Sequence, residues 1–259
     1  MRKVIILILT LTAFQVCAQE FSYTPKGRVS ELTVEIQNLF SDLVIEGNST
    51  VEIKVFADDY EGRPERAEGL RPLSATGTDN TGIGLNISQS GDTVRISGTH
   101  RSANNSDYHI SLPSEIKLRI DYGGFRSDDI VIKDMRNEVE IKSMVGDLVF
   151  ENVTGPIVAS TISSDIDVVF TDLNQSSPTS ITSISGDIDI TLPQRNKASL
   201  QLSSTSGEIY TDLEFDTVIN NGGNRHFRIG TSASTQLNGG GVEFAVKSVS
   251  GDIFIRKGN

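Results

Sequence analysis

The chain has 259 residues, of which 37% are hydrophobic and 22% charged, with no Trp and a single cysteine, Cys17. Such a composition excludes a disordered polymer and a disulfide-stapled scaffold. The formal charge of −11 excludes a surface built to hold nucleic acid phosphates or anionic lipid heads, which it would repel.

Arg2 and Lys3 are followed by an apolar run from Val4 to Leu11 and by the small-residue segment Val16-Cys17-Ala18. That layout predicts a secretory signal peptide over residues 1–18, cleaved after Ala18. The competing reading is a buried N-terminal strand. The apolar run is shorter than the about 20 residues a bilayer span needs. Cys17 is a poor lipid-anchor site, because Val16 precedes it where such signals carry Gly, Ala or Ser. Removing 18 residues from 259 leaves 241, without any cysteine. The exported chain would therefore have no disulfide, thiol nucleophile or thiolate metal site. Taking Arg2 and Lys3 from 23 basic residues, against 34 acidic ones, leaves a charge of −13. No later stretch is apolar for long enough to form a membrane helix.

Residues 19–122 are irregular. Leu32–Ile36 and Val51–Val55 read as strands, residues 57–82 as a long excursion carrying Pro64, Pro72 and Gly77, and Gly84–Ile96 as a hairpin around Ser90-Gly91-Asp92. His109–Pro113 and Ile116–Ile120 lead into a regular region over 123–259. One continuous domain, 19–259, is expected, with 19–122 capping the repeats.

The repeats are the dominant signal. Seven segments align on their acidic residue: Asp42, Asp129, Asp147, Asp165, Asp187, Glu208 and Asp252. Before the acid stands Gly, Ser or Asp, suited to a tight turn. After it comes Leu or Ile, and two residues later the next inward position, so that Leu148, Ile166, Ile188, Ile209 and Ile253 would form one aliphatic ladder, with Phe150, Val168, Ile190 and Ile255 forming another. From Asp128 the first positions are spaced by 18, 18, 22, 21 and 44 residues. The last gap, twice 22, predicts a degenerate copy near Arg228–Gly230. Second strands follow at 139–141, 157–159, 198–202 and 242–246. With no helical period after residue 115, these spacings predict an all-β, single-stranded parallel β-helix (β-solenoid) whose coils stack at about 4.8 Å. Propeller blades need about 40–50 residues each, and spacing leaves the hand of the coil open.

The Ser-x-Ser-Gly-Asp-Ile pattern at Ser183–Ile188 and Ser248–Ile253, its Glu208 version at Ser204–Ile209, the strand ending in Leu112-Pro113 and the leading strand Val34–Glu46 resemble the "putative adhesin" family of bacterial envelope proteins. The resemblance covers most of the mature chain. It implies an exported β-helix of the right-handed type with no assigned catalytic residues and no defined function, and it raises a periplasmic role in envelope stress.

Two acidic sets are candidates for chemistry. Stacked carboxylates of the first column (Asp147, Asp165, Asp187, Glu208, Asp252) would repel by about 0.9 kcal/mol at about 4.8 Å in water. A turn amide donated to each returns roughly 1.5–3 kcal/mol. Turn stabilisation therefore suffices, while a calcium-binding ladder is the sharper reading. Asp167 and Asp189, outward in consecutive coils, read as a solvated face or as the acid and base of a polysaccharide-cleaving β-helix. No basic residue shares their column. His100, His109 and His226 lack metal-ligand spacing, Gly239–Gly241 is no phosphate loop, and Ser160–Ser164 and Ser176–Ser185 read as turn residues. Together these features predict a non-enzymatic, adhesin-like binding or structural module of the cell envelope, periplasmic or at the surface. It would bind no cofactor, and its partner would be an envelope protein or glycan. A carbohydrate-active enzyme on the same scaffold is the alternative.

Overall fold

The computed structural model describes residues 19–58, 60–62, 65–70, 77–99, 106–122, 129–214 and 230–258. The predicted signal peptide, His100, His226, Asp128 and most of the segment expected to carry a degenerate copy lie outside the described residues. The described strands are β1 (Gln19–Tyr23), β2 (Thr33–Gln37), β3 (Leu43–Asn48), β4 (Ile53–Asp58), β5 (Leu85–Ser90), β6 (Thr93–Gly98) and β7 (Asp107–Pro113). The central ones are β8 (Lys117–Tyr122), β9 (Ile130–Lys133), β10 (Val139–Ser143), β11 (Leu148–Val153), β12 (Ile157–Ser163), β13 (Ile166–Phe170), β14 (Thr179–Ser185) and β15 (Ile188–Leu192). The last are β16 (Ala198–Ser204), β17 (Ile209–Thr211), β18 (Thr231–Leu237), β19 (Val242–Ser250) and β20 (Ile253–Lys257).

These strands form two ten-stranded, mostly parallel sheets, and neither closes into a barrel. Sheet A has the order β1-β4-β7-β3-β9-β11-β13-β15-β20-β17 and sheet B the order β18-β16-β19-β14-β12-β10-β8-β2-β6-β5. Each repeat contributes a strand of sheet B, a turn and a strand of sheet A. Alternation of side chains along each strand sends one set into the space between the sheets. Leu43, Ile130, Leu148, Ile166, Ile188 and Ile253 are fully buried there, as are Ile45, Ile132, Phe150, Val168, Ile190 and Ile255. Both inward ladders expected from the repeats are thus present, with the terminal Ile209 only partly buried. Each buried aliphatic side chain contributes about 1.5–3 kcal/mol, which no single coil could collect alone.

The stacking order departs from chain order at both ends. Strand β20 pairs with β15 on one side and with β17 on the other, and β19 lies between β14 and β16. The coil made last in the chain is therefore inserted beneath the coil that precedes it. Among the described strands of sheet A no rung separates β17 from β20; residues 215–229, on which most of the expected degenerate copy falls, lie outside the described residues. β18 runs antiparallel to β16 and forms the end of sheet B. At the other end the coil β2–β3 is sandwiched in the same way, with β2 between β6 and β8 and β3 between β7 and β9. Parallel register therefore includes strands N-terminal to residue 123. The antiparallel pairs β1–β4, β4–β7 and β5–β6 finish that end, which limits open parallel edges.

The Ser/Thr-rich segments expected as turns are largely strand. β12 and β14 carry Thr161, Thr179 and Ser183 inward, all buried. Hydroxyls at inward positions masked the alternation, because Thr179-Ser180-Ile181-Thr182-Ser183 holds a single aliphatic residue.

Candidate functional site

The turn between the two sheets explains the repeated motif residue by residue. Its first Ser faces inward: Ser204 Oγ donates to the Gly251 carbonyl at 2.9 Å and accepts the Gly207 N–H at 2.9 Å, and Ser183 Oγ donates to the Ser164 carbonyl at 3.4 Å. Thr161, Ser183, Ser248 and Ser204 fall in register as one buried hydroxyl column. The Gly follows from crowding. A Cβ on Gly186 would overlap the Ser164 carbonyl, and one on Gly251 the Gly186 carbonyl; Gly186 also has φ +141°.

The acid is the connector between rungs. The Asp129 N–H donates to Asp42 Oδ1 at 2.9 Å, Asp147 to Asp129 at 2.9 Å, Asp165 to Asp147 at 3.0 Å and Asp187 to Asp165 at 2.8 Å. The series continues with Asp252 on Asp187 at 2.8 Å and Glu208 on Asp252 at 2.8 Å. In return, the residue after each acid donates its N–H to the carbonyl of the next: Ile166 to Asp187 and Ile188 to Asp252, at 2.9 and 3.0 Å. Each rung contact is thus a reciprocal pair, charge-assisted on one side. The predicted candidates Asp147, Asp165, Asp187, Asp252 and Glu208 are brought together in one column, in spatial order 147, 165, 187, 252, 208. One oxygen of every Asp in it is held by a main-chain amide. Among the described residues no three His, Cys, Asp or Glu side chains are grouped so as to hold a metal ion.

Asp167 and Asp189 are register partners on the outer face of sheet A. The cation absent from their column comes from two positions along the next rung: Arg256 grips both oxygens of Asp189, with Nε at 2.8 Å from each and Nη2 at 2.6 Å from Oδ2. Asp189 and its hydrogen bond hold the Arg256 guanidinium even more firmly protonated than usual. Asp167 reaches solvent, yet partial burial of its carboxyl, followed by the neighbouring charges of Asp189, Asp165 and Asp147, pushes it above the ordinary carboxyl range. On the same rungs Arg256 lies 5.7 Å from the Phe254 ring centroid, and the rings of Phe254 and Tyr210 stack at 5.2 Å and 13°. His109 stands near the far end of this sheet, 3.3 Å from Glu46 and 6.2 Å from the Phe56 ring.

Two surface features escaped the sequence. The variable residue of the motif points outward, so Ile162, Ile184 and Val249 fall on neighbouring rungs of sheet B, all nearly half exposed. The residue between the two serines was the signal for this ridge. Near the end of sheet B an open cavity of about 530 Å³ is lined by Ser199, Gln201, Ser234 and Gln236. Its lining carries no charged side chain and mixes these polar groups with Leu200, which no motif announced.

The sequence profile of the Toastrack DUF4097 family matches residues 25–256. The chain belongs to this family. Among solved structures, the Toastrack chain is similar to a "putative cell adhesion protein" from Clostridium sporogenes ATCC 15579, at 15% identity, covering 93% of this chain and 100% of that one with a TM-score of 0.48. A "putative adhesin" from Bacteroides fragilis NCTC 9343 is similar at 12% identity, covering 92% and 95%, with a TM-score of 0.37. No curated protein matches the chain. No helix among its described residues is long and apolar enough to cross a membrane.

Proposed function

We propose that this Toastrack protein is an exported, non-catalytic binding or structural module of the bacterial cell envelope, adhesin-like in its use of a long rigid β surface. The observation that carries the proposal is the fate of the acids. In the column that sequence reasoning singled out, each Asp gives an oxygen to the main-chain amide of the next rung, and Asp189 is held by Arg256. Carboxylates committed in this way maintain a scaffold, and neither set offers a free acid and base facing each other across a cleft. Half-exposed aliphatic and aromatic side chains on both outer faces supply contact area. The basic start and apolar run of residues 2–11 support export, and the family resemblance supports a single-stranded, right-handed coil.

The test is a screen of the protein against envelope proteins and glycans, run beside a polysaccharide-release assay. Saturable binding without release is the expected outcome. Catalytic release of sugar would overturn the reading in favour of a carbohydrate-active enzyme.

A further inference from the structure

The outer face of sheet B is divided in two. Over β6, β2, β8 and β10 its central column alternates in charge, as Arg95, Glu35, Arg119 and Glu140. Arg95 binds Glu35 and Arg119 binds Glu140, each at 2.8 Å. Over β12, β14, β19 and β16 the same column continues as Val158, Ser180, Ala245 and Gln201. Nearer the turn, the row Ile162, Ile184 and Val249 crosses this second half, 43, 48 and 47% exposed. With Val158 these are four of the eight exposed large hydrophobic side chains among the described residues. On these four strands Glu243 and Lys247 of β19 are the outward charges. Aliphatic side chains gathered in water on one flat face mark a contact surface.

The charges on and around this face select the occupant. Two chains of net charge −11 repel unless they meet where charged groups face neutral ones. Sheet B meets that condition with itself. A dyad laid along β14, in the plane of the face, reverses the order of the rungs and keeps every column opposite itself. Ile184 then lies on its own mate and Ile162 on Val249, so the aliphatic row closes on itself, and Val158 lies on Ala245. Charged positions fall on neutral ones. Lys247 opposes Ser160, Glu140 and Lys142 oppose Gln201 and Ser203, and Arg119 opposes Ser234. Strand directions stay aligned, the relation in which sheets pack face to face within about 30°. Seven strands lie between β8 and β18. At about 4.8 Å each, with three outward columns about 6.8 Å apart, they cover roughly 700 Å² per copy. The total of about 1,400 Å² is that of a stable specific interface. We propose that this face is a homodimer interface, two copies packing sheet B on sheet B about a dyad through Ile184. The proposal is independent of the binding-module reading and leaves sheet A open in both copies.

The experiment is sedimentation velocity of the protein over about 1–100 µM, which should show a monomer giving way to a dimer. Ile184→Glu and Ile184→Lys each set like charges on the dyad, and each should weaken association at least about tenfold. An equimolar mixture of the two variants should recover the dimer, because a carboxylate then faces an ammonium across the dyad. Lys247→Glu, which opposes Ser160 and not its own mate, should weaken association less than Ile184→Glu does. Ile184 is 48% exposed, so the melting curves of its variants, taken at concentrations where the parent is monomeric, should match the parent and rule out misfolding. A monomer at every concentration, or an open-ended assembly in place of a dimer, would overturn the interface. So would a dimer indifferent to Ile184→Glu, which would place the contact elsewhere, or a mixture that stays monomeric.

Discussion

The middle coils and the two ends of this molecule are built from the same turn but by different routes. Between β8 and β15 the chain climbs one rung at a time, and the acids that hydrogen-bond across rungs are 18, 18 and 22 residues apart. At the ends the same bond joins residues 87, 65 and 44 apart. Loop-closure entropy grows only with the logarithm of length, so the longer connections cost about 1 kcal/mol more each. The comparison teaches that a rung is specified locally, by Gly, Asp and the aliphatic pair. Its place in the stack is specified by which open edge it meets. Inserting β19–β20 inside the stack leaves β16–β17 dependent on a strand made after it. Such non-local pairing slows folding more than it lowers stability.

The largest effect should come from the middle. Ile188 is fully buried between Ile166 and Ile253; Ile188→Ala should cost about 2–5 kcal/mol in denaturant unfolding, and Ile188→Asp, which strands a charge in that column, should prevent folding. At the C-terminal end Phe244 is buried edge-on to Phe170 at 5.6 Å. Phe244→Ala should cost about 3–5 kcal/mol and accelerate amide exchange in β16 and β17 together with β19 and β20. A stack in chain order would instead leave Ala198–Leu202 protected by β14.

The connectors should show smaller effects. Asp187→Ala removes the acceptor of the Asp252 N–H and should cost about 0.5–2 kcal/mol, the value of a lost capping oxygen, while Asp187→Asn keeps an acceptor and should cost less. On this account millimolar Ca²⁺ leaves the melting temperature unchanged; a rise would favour the calcium ladder over Asp147, Asp165, Asp187, Glu208 and Asp252. The smallest effect belongs to Asp167. Its folded pKa lies above the ordinary carboxyl value, so its contribution to stability is fully present below that ordinary value and is lost as pH rises through the folded one. Asp167→Asn should therefore gain stability relative to the parent at neutral pH and not below the ordinary carboxyl pKa, as read by paired melting curves.

Much of the fold was legible because its determinants are local. The inward Leu or Ile, the acid before it and the small residue before that recur at nearly constant spacing, and they predict two aliphatic ladders and a turn. The acidic column was legible as a column, and its hydrogen-bonding role followed from geometry one rung apart. Other features were not legible, for distinct physical reasons. β14 escaped because an inward strand face can be filled by Thr and Ser when their hydroxyls meet main-chain groups: Thr179 Oγ1 accepts the Ile157 N–H and Ser183 Oγ donates to the Ser164 carbonyl. The inserted coil escaped because all rungs carry the same motif, so periodicity cannot rank them. The Arg256–Asp189 pair escaped because its partners belong to different columns and to rungs 67 residues apart in the chain. The aromatic stack joins residues that no local window contains.

The order of the rungs at the C-terminal end is the claim on which the end of the ladder and the inserted coil both depend. Outward positions of sheet B test it through disulfide formation. Ser180 pairs with Ala245, and Ala245 with Gln201, so Ser180 and Gln201 are two rungs apart, about 9.6 Å. That exceeds the about 7 Å limit of Cα separation that a disulfide can bridge. On the cysteine-free segment 19–259, the pair Ser180→Cys and Ala245→Cys should oxidise readily and the pair Ser180→Cys and Gln201→Cys should stay reduced. Ready closure of the second pair, with the first remaining reduced, would contradict the inserted coil.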